Sequence, residues 1–229
     1  PLSVIGMATS GLIISMLFGM GPIYGRNLGL NNTEIGYFMT SIMVGTLLLQ
    51  YPVGRLSDKF DRRVVILGAA FTSAVCISIA SFFGASHFVT LLIFTMIFGG
   101  LTFSLYSLFI AHANDFLPPS QMVAMSSGLL MVNGAGAVVG SPFAAAIIEA
   151  LGSRSFMPAI AIILIGLSIF ILIRMRLRDA VPQEAQGPFV AFPKNITSVA
   201  TSLNPEAEWT DTSESDEVTD PFRNNPYVN

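Results

Sequence analysis

Gly54-Arg55-Leu56-Ser57-Asp58-Lys59-Phe60-Asp61-Arg62-Arg63 sets six charged side chains in ten residues. The runs on either side of its charged core, 35–54 before Asp58 and 64–86 after Arg63, carry none. Each is long enough to cross a hydrocarbon core of about 30 Å as a helix. The stretch is therefore expected to be a tight turn joining two membrane-spanning helices. Four of its six charges are basic, which places it on the cytoplasmic side, where Lys and Arg collect.

The order of these residues resembles the signature loop of the major facilitator superfamily, roughly G-x-x-x-D-[RK]-x-G-[RK]-[RK]. Gly54, Asp58, Lys59, Arg62 and Arg63 fall on its fixed positions. Asp61 replaces the second glycine and still suits a turn, because Asp tolerates left-handed backbone. By this resemblance the loop follows the second helix of a six-helix half and acts as a conformational switch. The resemblance further implies that Asp58 sits against the start of a helix in the other half when the cytoplasmic side is closed.

Composition agrees with a membrane body. The chain is 52% apolar and 11% charged, with a mean hydropathy of +0.68. Charge is divided unevenly: residues 1–178 hold nine Lys/Arg and five Asp/Glu, residues 179–229 two and nine. Charge-free runs mark six spans, about 1–25, 35–54, 64–86, 88–111, 122–148 and 155–173. Backbone in lipid must satisfy its own hydrogen bonds, so these are read as helices, neighbours antiparallel. Orientation is consistent across the loops. Arg55, Lys59, Arg62, Arg63, Arg174, Arg176 and Arg178 fall on one side, and Arg26 and Arg154 on the other. The fold class expected is all-α, residues 1–178 forming one half of the superfamily fold with a 3+3 helix repeat.

From Asp179 onward Pro, Ser, Thr, Asn and acidic residues replace the apolar pattern, and 179–229 is expected to be a disordered acidic cytoplasmic tail. The lone Cys76 lies in an apolar run and suits packing. No metal-ligand spacing, nucleophile elbow or phosphate loop is present, so neither catalysis nor a cofactor is expected, and nothing points to nucleic acid. The chain starts at Pro1 and is expected to begin partway through a longer protein.

Two sets of residues stand out within the spans. Gly19-Met20-Gly21-Pro22 and Gly99-Gly100 interrupt the first and fourth spans. They read either as bends around a cavity or as close packing. In the fifth span Gly128, Gly136, Gly140 and Ala144 are spaced by multiples of four, which suggests a smooth ridge for close helix approach. Gly136-x-x-x-Gly140-Ser141-Pro142 also resembles a glycine-proline motif of family exporters, and Pro142 is grouped with the packing residues on that basis.

Polar residues inside a span are candidate sites. Asn133 lies near mid-depth of the fifth helix, Thr102 and Tyr106 one turn apart on the fourth, and Gln50 and His112 near cytoplasmic ends. The resemblance implies that the first, second, fourth and fifth helices line the cavity. Tyr24, Gln50, Thr102, Tyr106, His112 and Asn133 are then candidates to meet substrate, the alternative for each being an interhelical hydrogen bond. No Asp, Glu, Lys or Arg lies deep in any span, so a coupling proton, where one is used, is expected to bind in the other half.

The expectation is a secondary transporter of a small solute working by alternating access. Tyr51 through Phe60 and Leu117 through Ser126 resemble the carboxy-terminal half of a bacterial subgroup with no assigned substrate, placing the protein in the bacterial inner (plasma) membrane. A first half followed by its linker is the rival placement. A non-transporting membrane sensor or scaffold on the same fold is the rival function.

Overall fold

The computed structural model describes residues 2–83, 87–116 and 119–177, with no account of the side chains of 119 and 120. The expectations for the tail, 179–229, lie outside these residues. Six α-helices follow one another: α1 (Leu2–Asn27), α2 (Asn32–Lys59), α3 (Arg62–Phe83), α4 (Phe88–Asn114), α5 (Pro119–Leu151) and α6 (Phe156–Leu177), the last preceded by a 3₁₀ turn at Ser153–Ser155. At 1.5 Å per residue the shortest spans about 33 Å. Five are long and apolar enough to cross a membrane. The other, α2, has 28 residues and the length to span but is less apolar, interrupted by Thr40, Ser41, Thr46, Gln50 and Tyr51.

The charged stretch departs from the expected turn. α2 runs on through Gly54, Arg55 and Asp58 to Lys59, and only Phe60 and Asp61 separate it from α3. Charge is no barrier to helix, and Val53, Gly54 and Ser57 are buried in register along its inner face. The chain breaks where Phe60 turns extended, at ψ 164°. Asp61 is not left-handed, since among the described residues no non-glycine has positive φ. Its carboxylate instead accepts the Arg63 N–H at 2.9 Å, and its carbonyl accepts those of Val64 and Val65, so it caps α3.

The other connections are equally short. Between α1 and α2, Gly29 adopts φ +88°, which a side chain resists. Asn31 then starts α2 with a capping box: its side chain accepts the Glu34 N–H at 2.9 Å, and the Glu34 carboxylate accepts the Asn31 N–H at 2.8 Å. Between α5 and α6, Gly152 adopts φ +82°.

The most extensive seams join α1 to α5 and α2 to α4, and α3 packs on α4 and α6. Glycine makes the first two possible. A Cβ at Gly136 would meet the Ala8 carbonyl oxygen and one at Gly140 that of Leu12. A Cβ at Gly45 would meet the Met96 carbonyl oxygen and one at Gly99 that of Ile42. Gly99-Gly100 therefore serves close packing, and α4 is helical straight through it. The buried core collects around α4, which is enclosed from Ser104 to Ala113.

Candidate functional site

The short α2–α3 connection concentrates charge at one end of the bundle, and one arginine organises it. Arg62 opens α3 and is 1% exposed. Its Nη1 donates to Asp115 Oδ1 at 2.6 Å, its Nε donates to Ser57 Oγ at 3.1 Å, and its Nη2 lies 3.8 Å from Asp58 Oδ1. A buried guanidinium is tolerated only when its planar fork of donors is met by acceptors. Asp115 and Ser57 are both buried around it, whereas the Asp58 side chain is 41% exposed. The arrangement ties the end of α2 and the start of α3 to the end of α4.

Arg63, also buried, sets its guanidinium 6.0 Å from the centre of the Phe116 ring, and His112 packs edge-on against the same ring at 5.2 Å. Arg55 lies over the Tyr51 ring at 4.7 Å. Lys59 is exposed and Gly54 buried. Asp115 is not among the sequence candidates. The available signal was an acid in a loop that shares its side of the bundle with seven basic residues and has no Lys or Arg of its own.

The candidates for cavity lining are mostly enclosed within this bundle. Asn133 is 2% exposed, and its Nδ2 donates to the Met7 carbonyl at 3.0 Å and to Ser10 Oγ at 3.1 Å, so it fastens α5 to α1. Tyr24 is buried against the Phe156 and Phe38 rings, 5.2 and 6.4 Å away between centroids. Thr102, Tyr106 and His112 are buried as well, Thr102 Oγ1 without a partner among the described residues. Gln50 alone is half-buried, with Nε2 3.5 Å from Ser107 Oγ. Five of the six are thus enclosed by this bundle itself and do not lie on an open face. For Asn133 the reason is chemical: a polar group inside a span gains most from a partner on the adjacent helix.

The ridge on α5 is shorter than the sequence suggests. Gly136, Gly140 and Ala144 are set against α1 or enclosed, but around Gly128 a Cβ would find nothing within 4 Å. Pro142 is exposed. Beside it Ser141 makes the contact that sequence reasoning missed: its Oγ lies 2.8 Å from Ser15 Oγ and donates to the Ser15 carbonyl at 2.8 Å. Among the described residues no three His, Cys, Asp or Glu converge on a metal position.

The family model described as Major Facilitator Superfamily matches residues 3–216. An uncharacterised MFS-type transporter, YcaD, of Shigella flexneri is 32% identical over 179 residues, covering 78% of this chain and 44% of the relative. YcaD of Escherichia coli K12 (DH10B) matches to the same extent. This chain thus spans less than half the length of those relatives. Among solved structures, the POT family transporter PepTSo aligns with a TM-score of 0.61 over 82% of this chain and 40% of that one. At 14% identity that likeness concerns the fold alone.

Proposed function

This chain belongs to the major facilitator superfamily, a family of membrane transporters rather than enzymes, and from that premise we propose that it forms the carboxy-terminal six-helix half of a secondary transporter moving a small solute by alternating access. Residues 1–178 form the membrane body, with the charged end and the tail on the cytoplasmic side of a bacterial inner membrane. The other half completes the cavity and supplies any coupling group, since no carboxylate or base lies deep in α1–α6. The observation that carries this reading is the division of labour at the charged end. Arg62 is held in a buried bond with Asp115, while the side chain of Asp58, one turn away and 3.8 Å from Arg62, is 41% exposed. A structural anchor beside an exposed carboxylate is what a gate between two halves requires. Gly54, Lys59 and Arg63 complete the switch region.

Uptake and efflux of a solute panel, measured with the intact protein in sealed vesicles, test the proposal. Solute movement that depends on the protein supports it. Failure across sugars, amino acids, peptides, organic acids and hydrophobic drugs would favour a sensor or scaffold.

A further inference from the structure

We infer that this half is built as two riveted helix pairs that shear past one another, and does not move as one rigid body. The pairs are α1 with α5 and α2 with α4. Within each, backbone lies on backbone. Gly136 and Gly140 of α5 admit the Ala8 and Leu12 carbonyls, and Gly45, Gly99 and Gly100 bring α2 and α4 equally close. Side chains then lock the register. Asn133 bonds Met7 and Ser10, Ser141 bonds Ser15, Ser41 Oγ lies 3.0 Å from Thr95 Oγ1, and Gln50 reaches Ser107. The bonds Ser15–Ser141, Ser41–Thr95, Gln50–Ser107 and Asn133 to Met7 and Ser10 all join partners of one pair.

The seams between the pairs are of another kind. Phe18 meets Phe103 edge-on at 6.1 Å, and the Phe109 ring lies against Gly6, both between α1 and α4. Between α1 and α2, Met39 sulfur lies against Gly21 and Ile35 against Gly25. Sulfur and aliphatic contacts are non-directional, and ring contacts hold no hydrogen bond whose register sliding would break. Slipping the riveted seams would strand backbone and hydroxyl groups where no water replaces their bonds. Packed helices that shear move by small translations of this sort. The Arg62–Asp115 bond and the packing of α3 on α4 add α3 to the α2/α4 body. α6 packs chiefly on α3 and goes with that body. Three connections then cross from one body to the other, α1–α2, α4–α5 and α5–α6; the first and last each contain a positive-φ glycine with no neighbouring atom within 4 Å of its Cβ position, Gly29 and Gly152.

The alternating-access reading supplies the purpose of this motion, but the motion is measurable without transport. In a Cys76→Ala background of the intact protein in lipid nanodiscs, spin labels go on exposed sites: Ile23 of α1, Val123 of α5, Leu47 of α2 and Val89 of α4. Electron–electron resonance then gives distance distributions within pairs (23 with 123, 47 with 89) and across the seam (23 with 47, 123 with 89). The across-seam distributions should be broader in the same preparation, by about 1–2 Å. Equal widths, whatever their value, overturn the proposal and leave a single rigid body. The double variant Ser15→Ala, Ser141→Ala should broaden the 23–123 distribution while leaving 47–89 unchanged. No broadening there removes the rivets from the account. Solute transport together with equal widths would retain the transporter and reject the shear.

Discussion

Arg62 and Asp115, 53 residues apart in the chain, meet as a buried ion pair at 2.6 Å with side-chain exposures of 2% and 3%. The pair joins the α2–α3 corner to the end of α4, at the one end of the bundle where charge is dense. Such a pair is dangerous to break singly, because the survivor stays buried without its partner. Asp115→Ala should destabilise the protein by about 3–5 kcal/mol. Removing both charges with Arg62→Leu and Asp115→Leu should restore much of that loss, since well-packed apolar groups often replace a buried pair at little cost. Thermal aggregation of detergent-solubilised protein, followed by size-exclusion chromatography, orders the three proteins. A double variant no better than the single one would mean that the pair's hydrogen bonds to Ser57 and its surroundings dominate.

The α5 seam gives a contrast within one helix. Gly140→Leu would drive a side chain into the Leu12 carbonyl and Ser15 and should abolish expression or transport. Gly128→Leu places the same side chain in open space in this half and should leave folded yield unchanged. Folded yield of the two variants, compared side by side, checks the assignment of faces.

Of the two readings open for Asn133, cavity lining and an interhelical hydrogen bond, its contacts favour the second. Asn133→Leu removes its bonds to Met7 and Ser10 and should lower stability by about 0.6–1.7 kcal/mol, the range for polar contacts between membrane helices. Ser10→Ala introduced into that variant should add little, because the two share one interaction. If Asn133→Leu changed solute selectivity at unchanged stability, the residue would belong to the pathway after all.

Those outcomes bear on what the sequence could reveal. The six helices and their order were legible because charge-free runs of 19 residues or more have few alternatives in lipid. Direction was not legible. α5 is apolar on every side, so no periodicity says which face carries Asn133 inward. Gly128 shows the same gap. Eight residues on an α-helix turn through 80° beyond two full circles, about a quarter-turn, so a spacing of eight drifts off the ridge that Gly136 and Gly140 share. The Arg62–Asp115 bond was hidden because its partners belong to separate loops, and nothing local to either names the other. α2 ran past its expected end because Arg, Lys and Leu are good helix formers whatever their charge.

Sidedness can be checked directly. Single cysteines at Thr33 and Lys59, both exposed, in a Cys76→Ala background should react with an impermeant maleimide from opposite faces of sealed vesicles. Ser57 is fully buried and would be a poor site for the label. Reaction of both from the same side would reverse the orientation built on the positive residues.

Asp58 provides the last prediction. Its bond to Arg62 is long, 3.8 Å, and its side chain is 41% exposed, so that contact is worth little to the fold. A carboxylate at such a place can serve another element. The start of a helix in the other half would offer unpaired N–H groups and a partial positive charge, worth about 0.3–2 kcal/mol to a nearby carboxylate. Because such a contact would exist only while the cytoplasmic side is closed, it would bias the balance of states and leave the fold alone. Losing about 1.4 kcal/mol would shift their ratio about tenfold. Asp58→Asn should therefore keep folded yield and thermal stability while favouring the inward-open state and slowing turnover. Asp115→Ala, by contrast, should lose stability first. Crosslinking yield between cysteines placed across the cytoplasmic gate of the intact protein reads the balance, and it should fall in Asp58→Asn. An unchanged yield with normal transport would reduce the exposed carboxylate to part of an orientation anchor.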